Sequence, residues 1–278
     1  MKTSEHIPSR LLLRSLLTIL VTLSPIVLFG GQPLETESAR MLPSGAMEVE
    51  TVVEVQTSSD GRERAVALLF EAGLPHNWQF TIEPVPYTSI KPRHARGATG
   101  PGDLEITLTH QFLSETVSRP AFAVAGEVKL PTATNDLIGT GKTDVAILGL
   151  ATKRFGRIDA HLNLGYNFIG SPKGANLGNI FNYAVAAELH LRPGFDVVGE
   201  IIGNTSSTPD AAEGDAGGGT ITPEAAGGET SALVGIKYDI RPALVAGLGL
   251  SYDNNSAFLV RAGLTFRFGR GWQQHWPR

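Results

Sequence analysis

The sequence predicts a transmembrane β-barrel, and three observations predict it. Long runs alternate between apolar and polar side chains, as in residues 158–168 (IDAHLNLGYNF). Side chains of a strand point alternately to its two faces, so each run has one apolar and one polar face. Such runs exceed the roughly five or six residues of a soluble strand and suit a tilted strand that crosses a bilayer. Tight turns and longer polar loops separate the runs.

Composition limits the alternatives. The chain has 278 residues, no cysteine, a formal net charge of −4 and a mean hydropathy of +0.01. That hydropathy excludes a bundle of membrane helices but suits a barrel, in which half of each strand is polar. The absence of cysteine excludes a disulfide framework and a thiolate metal site. The length allows one large barrel, with a soluble β-sandwich or two soluble domains as the alternative.

The first 31 residues are predicted to be an export signal. Three basic residues near the start precede a mostly apolar run from Ser15 to Phe29. The run is too short for a typical spanning helix but suits a signal peptide, with a signal anchor as the alternative. We therefore expect a signal peptide over residues 1–31 and one barrel domain over residues 32–278, located in the bacterial outer membrane.

Twelve strands are predicted, an even number that suits a single-chain bacterial barrel. They cover residues 47–57, 62–72, 78–84, 103–112, 121–130, 142–153, 158–168, 181–192, 195–203, 229–239, 243–252 and 257–268. Long connections at 85–102, 131–141, 171–178 and 204–228 alternate with short ones, although the first and the last connection are short too. Both termini of such barrels lie in the periplasm, so these loops are expected to be extracellular and residues 32–45 to be a polar periplasmic lead-in. A soluble sandwich is not expected to show this alternation of long and short connections.

The polar faces of the strands are predicted to line the lumen, where acidic residues outnumber basic ones. The candidate lumen-lining residues are Glu127, Asp144, Asp159, His161, Glu188, His190, Arg192, Asp196, Glu200, Lys237 and Arg261. Those from Asp159 to Glu200 are predicted to form a polar constriction or ligand site in the periplasmic half. The alternative is a charge-compensated filling that stiffens a small lumen.

Hairpin geometry predicts which of these side chains face each other. The predicted facing pairs are His161–Glu188, Asp159–His190, Arg192–Asp196 and Glu188–Glu200. A slip by two residues would change these pairs without changing the face that each side chain occupies.

Two sequence features that resemble ligand sites are interpreted as structural. Residues 139–143 (GTGKT) match the end of a phosphate-binding loop, but Asp136 stands where that motif needs its first glycine, and a strand follows instead of a helix. We therefore predict an ordinary loop. His161 and His190 could bind a metal, but no third ligand stands at a fixed spacing, so neither a metal nor another cofactor is predicted.

Basic and aromatic residues suggest contacts with the membrane. Lys91, Arg93, His94 and Arg96 form a basic cluster on a predicted extracellular loop. Lipopolysaccharide phosphates are a candidate partner for this cluster, and an ordinary solvated loop is the alternative. Candidate interfacial aromatic residues are Trp78, Tyr87, Trp272 and Trp276, and the last two could instead pack as a plug.

Four stretches carry a resemblance to a known family. They are Gly102 to Leu104, Gly126 to Thr132 (GEVKLPT), Gly139 to Val145 (GTGKTDV) and Leu162 to Tyr166 (LNLGY). From Asp103 to the C-terminus, the chain resembles the outer-membrane family labelled MetA-pathway of phenol degradation. The resemblance implies an outer-membrane transporter, and the label implies aromatic compounds. Such barrels often end on an aromatic residue, and Phe268 fills that position here, but residues 269–278 follow it.

These observations lead to one expected function and two alternatives. We expect an outer-membrane channel or transporter for small, aromatic or hydrophobic molecules, with a polar, acid-rich lumen. The alternatives are a structural barrel with a closed lumen and an outer-membrane lipid-modifying enzyme. The enzyme is disfavoured because the sequence has no G-x-S-x-G motif and no histidine placed for catalysis at the rim, so no catalytic residue is assigned. Expected partners are outer-membrane lipid, lipopolysaccharide, a small-molecule solute and the barrel-assembly machinery, and not nucleic acid.

Overall fold

The computed structural model describes residues 32–172, 177–207 and 228–273. The predicted signal peptide, Trp276 and parts of the predicted loops at 171–178 and 204–228 lie outside these residues. Within them, the chain forms one antiparallel sheet that closes on itself.

The sheet consists of strand segments that each run antiparallel to their neighbours. They are β1 (Ala46–Thr57), β2 (Gly61–Leu74), β3 (Trp78–Pro84), β4 (Tyr87–Pro92), β5 (Ala98–Gly100), β6 (Leu104–Leu113), β7 (Ala121–Leu130), β8 (Asp144–Phe155), β9 (Ile158–Phe168), β10 (Ile180–Arg192), β11 (Phe195–Asn204), β12 (Glu229–Arg241), β13 (Leu244–Asp253) and β14 (Phe258–Gly269). A 3₁₀ turn at Pro75–Asn77 joins β2 to β3, and a short helix, α1 (Arg270–Gln273), follows β14.

The first and last strands close the barrel. β1 pairs with β2 on one side and with β14 on the other, where Ala46 lies opposite Gly269 and Thr57 opposite Phe258. β3 and β4 both pair with β2 and are successive parts of one strand. β5 pairs with β4, and β6 pairs with β3. β5 and β6 are therefore successive parts of the next strand. The barrel therefore has 12 strands around its circumference, and the predicted fold is confirmed.

The long connection predicted at residues 85–102 is wrong in part, because it contains the hairpin of β4 and β5. Pro86, Pro92 and Pro101 gave this segment the composition of a loop. Proline lacks the N–H that a strand ladder needs, but it is tolerated where a strand starts, ends or is interrupted. The hairpin continues the barrel wall along the first half of β2.

Each strand presents an apolar face outward and a more polar face inward. Val185, Ile201, Val234 and Phe266 on the outer face are all at least 50% exposed. Small alanines and polar groups occupy the inner face, where Glu200 is 3% exposed. An exposed apolar belt of this kind suits contact with lipid, as in a β-barrel that spans a membrane. Among the described residues, no helix has both the length and the apolar character needed to cross a membrane.

The two ends of the barrel differ in their connections. At one end tight turns join the strands, and Gly156 and Gly194 there adopt φ values of 61° and 72°, which glycine tolerates. At the other end lie the longer connections 131–143, 169–179 and 205–228. In outer-membrane barrels the turns on the periplasmic side are short and the loops on the extracellular side are long. The tight turns are therefore periplasmic.

A lysine in the centre of the apolar belt should destabilise the barrel. Val234 lies outward in the middle of β12, and we expect Val234→Lys to cost about 2–4 kcal/mol of folding free energy in phospholipid vesicles. Ile240→Lys, at the periplasmic end of the same face, should cost no more than about 1 kcal/mol. Urea titrations that follow the gel mobility of folded and unfolded barrel measure both losses. Equal losses would contradict the assigned position of the membrane.

Candidate functional site

The N-terminal segment, residues 32–45, lies inside the barrel. Thr36, Ser38, Ala39 and Leu42 are between 0% and 7% exposed. The prediction of a periplasmic lead-in is therefore wrong. A barrel of this strand number encloses more space than its own inward side chains fill, and the segment occupies part of that space.

Glu200 on β11 binds the start of this segment. Its carboxylate accepts hydrogen bonds from the backbone N–H of Thr36 at 2.8 Å and from the Thr36 hydroxyl at 2.7 Å. The backbone N–H of Glu35 donates to the same carboxylate at 3.2 Å. Hydrogen bonds to a charged acceptor are the stronger kind, so Glu200 fixes the segment where it enters the middle of the barrel.

Further along the segment, other wall residues accept its backbone donors. Asn163 accepts from the N–H of Glu37 at 2.7 Å and donates to the Glu37 carbonyl oxygen at 2.9 Å. The Thr152 hydroxyl oxygen accepts from the N–H of Ala39 at 2.8 Å. An irregular segment must find partners for its backbone groups, and this one finds them in polar side chains of the wall.

Arg40 binds the segment to the periplasmic half of the wall. Its Nη1 and Nη2 donate to the two oxygens of Asp159 at 2.8 and 3.0 Å, and its Nε and Nη2 donate to Glu115 at 2.8 and 2.6 Å. Asp159 also accepts hydrogen bonds from Arg154 and His190. Bidentate arginine–carboxylate pairs are among the strongest polar contacts, so Arg40 is the main anchor of the segment.

Glu115 lies in the periplasmic turn between β6 and β7. Burial opposes its ionisation, but hydrogen bonds from the backbone N–H of Arg154 and from Arg40 hold the pKa of Glu115 below its ordinary value. Lys153 adds an ion pair at 3.3 Å. The carboxylate therefore stays charged at neutral pH and remains a partner of Arg40.

The predicted facing pairs are wrong by two residues in both hairpins. The observed pairs are His161–Ala186, Asp159–Glu188, Glu188–Val198 and His190–Asp196. The long loop before β10 does not constrain the register of the first hairpin, and a bulge after His190 shifts the register of the second. Because each slip is by two residues, most of the predicted side chains keep their face.

Arg192 is the exception and does not lie with the other predicted lumen-lining residues. The pairing shifts between His190 and Arg192, and Arg192 is exposed. Its guanidinium lies over the ring of Phe195, 5.4 Å from the ring centre. The predicted placement of Arg192 in the lumen is therefore wrong, because the alternation of residues does not reveal the bulge.

The other predicted residues lie on inner faces, and most of them form ion pairs there. Lys237 donates to Glu188 at 2.9 Å and to the backbone oxygen of Gln32 at 2.7 Å, so it too contacts the segment. Further ion pairs join Asp144 to Lys129, Arg261 to Glu54 and Arg267 to Glu48. Glu127 accepts a long hydrogen bond of 3.4 Å from the Thr107 hydroxyl.

Open space in the lumen lies in its extracellular half. A chamber of about 460 Å³ there is lined by residues that include Glu35, Asp144, Asn163 and Tyr183. Two neighbouring cavities of about 180 and 200 Å³ share Glu35 with it, so this side chain stands where the three meet. Two spaces beside residues 32–45 nearer the periplasm measure about 10 and 30 Å³. The segment therefore narrows the periplasmic half of the lumen.

Two glutamates of the segment titrate near neutral pH. Burial inside the barrel, with repulsion from Glu127, raises the pKa of Glu37 to about 7. Burial also raises the pKa of Glu35 to about 7, with Arg261 opposing the shift and Glu54 adding to it. The charge at the junction of the cavities therefore changes between about pH 6 and pH 8.

Asp159, His161 and Glu188 come close enough to surround a cation. One ligand atom of each lies within 4.8 Å of the others, so the fold supplies the third ligand that the sequence spacing did not reveal. However, Asp159 already binds Arg40, and Glu188 binds Lys237. A divalent ion would be repelled by both bases, so the cluster suits the anchoring of residues 32–45 better than metal binding.

The short helix α1 after β14 packs against the periplasmic end. Trp272 is 0% exposed, packs with Leu42, and donates from its indole N–H to the backbone oxygen of Met47 at 3.2 Å. An interfacial position for Trp272 is therefore wrong, and the packing alternative describes it. Trp78 stays partly exposed and stacks on His110, with 4.4 Å between ring centres.

Sequence reasoning missed Thr36, Arg40 and Glu115 because they lie outside the strands, where no alternation marks a face. One signal was available. The inner faces carry more acids than bases, and Arg40 is the only base in residues 32–45. An excess of buried acids requires donors from elsewhere in the chain.

Removing the Arg40 anchor should loosen the segment. Arg40→Gln leaves Asp159 with Arg154 and His190, so we expect the docked segment to lose about 1–3 kcal/mol rather than the full effect of an unpaired buried charge. Hydrogen–deuterium exchange of the Thr36 and Ala39 amides should become faster by the factor that corresponds to this loss of free energy. Arg119 is exposed at the same periplasmic end, and Arg119→Gln should leave this exchange unchanged. Equal exchange in all three proteins would contradict the anchoring role.

Comparison with known proteins gives a family and a fold. A model of the family MetA-pathway of phenol degradation matches residues 32–268, and no curated protein matches the sequence. The COG4313 outer membrane channel from Pseudomonas putida F1 is similar at 12% identity and a TM-score of 0.64, over 83% of this chain and 98% of that one. The NanC porin is similar at 10% identity and a TM-score of 0.55, over 78% and 98%. A KdgM porin in complex with disordered oligogalacturonate is similar at 9% identity and a TM-score of 0.52, over 80% and 99%.

At such identities, the likeness to the solved structures is a likeness of fold. The family model, in contrast, covers the whole barrel and also the segment inside it. The chain therefore belongs to the family MetA-pathway of phenol degradation and is a β-barrel of the bacterial outer membrane.

Proposed function

We propose that this protein is an outer-membrane channel for small molecules, in which residues 32–45 control passage through the periplasmic half of the lumen. The observation that carries the proposal is the way the segment is held. Beside the apolar contacts of Ala39 and Leu42, it is held by hydrogen bonds and ion pairs to the wall, such as those of Arg40 and Thr36. Water can replace such contacts when the segment moves, whereas an apolar core would resist exposure.

The chamber in the extracellular half of the lumen also supports the passage of small molecules. Its volume of about 460 Å³ falls in the range of cavities that hold a small molecule. The solved outer-membrane channel and porins with the same fold agree with this role. We favour a channel over an outer-membrane enzyme because the sequence has no G-x-S-x-G motif.

The charge of the pathway limits the class of solute. Glu35 and Glu37 line the chamber, whereas the basic groups Lys129 and Arg261 beside these cavities are paired with Asp144 and Glu54. We propose that neutral or cationic molecules enter and that anions are disfavoured. The family's label points to aromatic compounds, and a neutral molecule of phenol size meets no charge repulsion in this chamber.

A structural barrel with a closed lumen is the second candidate function. The narrow spaces of about 10 and 30 Å³ beside the segment favour it. The two functions differ in ion conductance. A structural barrel conducts no ions, wherever residues 32–45 lie in the lumen.

Locking the segment to the wall should reduce conductance. The chain has no cysteine, so Ala39→Cys with Thr152→Cys introduces one possible disulfide between groups that now contact each other. In planar lipid bilayers, we expect lower conductance for the oxidised double variant and recovery after a reductant is added. Ala39→Cys alone is the control and should not respond to the reductant. Conductance that is equal before and after reduction would show that passage does not need movement of the segment.

The channel should prefer cations, and more strongly as pH rises. Glu35 and Glu37, with pKa values of about 7, are mostly protonated at pH 6 and mostly charged at pH 8. The reversal potential in a potassium chloride gradient should therefore shift further towards cation preference between these pH values. Glu35→Gln with Glu37→Gln should weaken that preference and remove most of its pH dependence.

Asp60→Asn with Asp136→Asn is the matched control. It removes two acids from exposed loops without changing the lining of the chamber, and its selectivity should follow that of the unmodified protein. Anion preference of the unmodified protein at pH 8 would contradict the proposed pathway.

A further inference from the structure

Strand register brings three cations together on the outer wall at the extracellular end. Arg62 on β2 lies directly opposite Lys91 on β4, and Arg64 is two residues further along β2. Residues separated by two share a face of a strand, so Arg62 and Arg64 project from the same face. That face is the outer one, because it continues through Val66, Leu68 and Phe70, and Phe70 is 41% exposed in the apolar belt.

These cations stand where the apolar belt ends. Tyr87 pairs with Val66, is 42% exposed, and has the amphipathic character typical of a membrane interface. Arg64 is the next outward residue beyond Val66, and Arg62 and Lys91 follow. The three therefore lie at the level of the lipid head groups of the outer leaflet. We name Arg62, Arg64 and Lys91 the basic rim.

The basic rim differs from the bases inside the barrel. Lys237, Arg261 and Arg267 each form an ion pair with a glutamate. In the described part of the chain, the side chains of the rim have no acidic partner, and all three are exposed. The same holds for the bases at the tip of the adjoining hairpin, Arg93, His94 and Arg96. The rim and the tip thus form a predominantly positive surface, with the exposed Asp60 beside Arg93 as the nearby acid.

We propose that this surface binds the phosphate groups of lipopolysaccharide in the outer leaflet. The rim is at the correct depth to meet phosphates on the sugar head group, and the tip lies above it to meet charges further out. Arginine forks match phosphate oxygens in pairs, and each basic residue close to an anionic membrane surface adds to the attraction. A solvated loop alone does not account for three cations aligned across two strands at the edge of the apolar belt.

The test uses protein refolded from inclusion bodies in detergent, so that no lipopolysaccharide is carried over from a cell envelope. Binding of bisphosphorylated lipid A is measured by native mass spectrometry or by titration of tryptophan fluorescence. Arg62→Gln, Arg64→Gln and Lys91→Gln together should weaken binding about tenfold or more. Monophosphorylated lipid A should bind the unmodified protein more weakly than the bisphosphorylated form.

The matched control removes the same charge from the opposite end. Arg157→Gln, Arg192→Gln and Arg241→Gln change three exposed bases at the periplasmic turns and should leave lipid A affinity unchanged. Folding of each variant is checked by heat-dependent gel mobility. Equal affinity of the two triple variants, or equal binding of the two lipid A forms, would overturn the proposal. Neither result would bear on conductance, so this proposal and the channel function fail independently.

Discussion

Ionised side chains inside the barrel need partners from the protein itself, and this constraint organises the interior. Asp159 and Glu200 are 2% and 3% exposed, and a buried carboxylate without donors is costly. Residues 32–45 supply those donors, through the guanidinium of Arg40 and the backbone of Thr36. The segment thus completes the polar network of the wall, and the wall in turn satisfies the backbone of a segment without regular structure.

The same constraint explains why the interior narrows towards one end. Arg40, Arg154 and His190 converge on Asp159 near the periplasmic turns, and Trp272 packs across that end. Nearer the extracellular end the wall carries fewer such pairs, and a chamber of about 460 Å³ remains. In the proposed channel, polar contacts that water can replace hold the narrow half, so it can be closed at rest and still open without unfolding its wall.

Charge is distributed with opposite sign on the two sides of the wall at the extracellular end. On β2, Glu63 lines a cavity inside, whereas Arg62 and Arg64 stand exposed outside. β-strand alternation permits this, because neighbouring residues of one strand face different surroundings. This arrangement is compatible with both proposals, in which the inner face selects solutes and the outer face binds lipopolysaccharide phosphates.

The sequence by itself determined the barrel, its twelve strands and the face of most side chains, because alternation with period two is a local property that each strand shows independently. It also identified Asp159, His161, Glu188 and Glu200 as inward residues. Only the tertiary structure decided which of them meet. Strand register depends on loops and bulges that alternation does not reveal, and the docking of residues 32–45 depends on contacts between residues more than a hundred positions apart, such as Arg40 and Asp159.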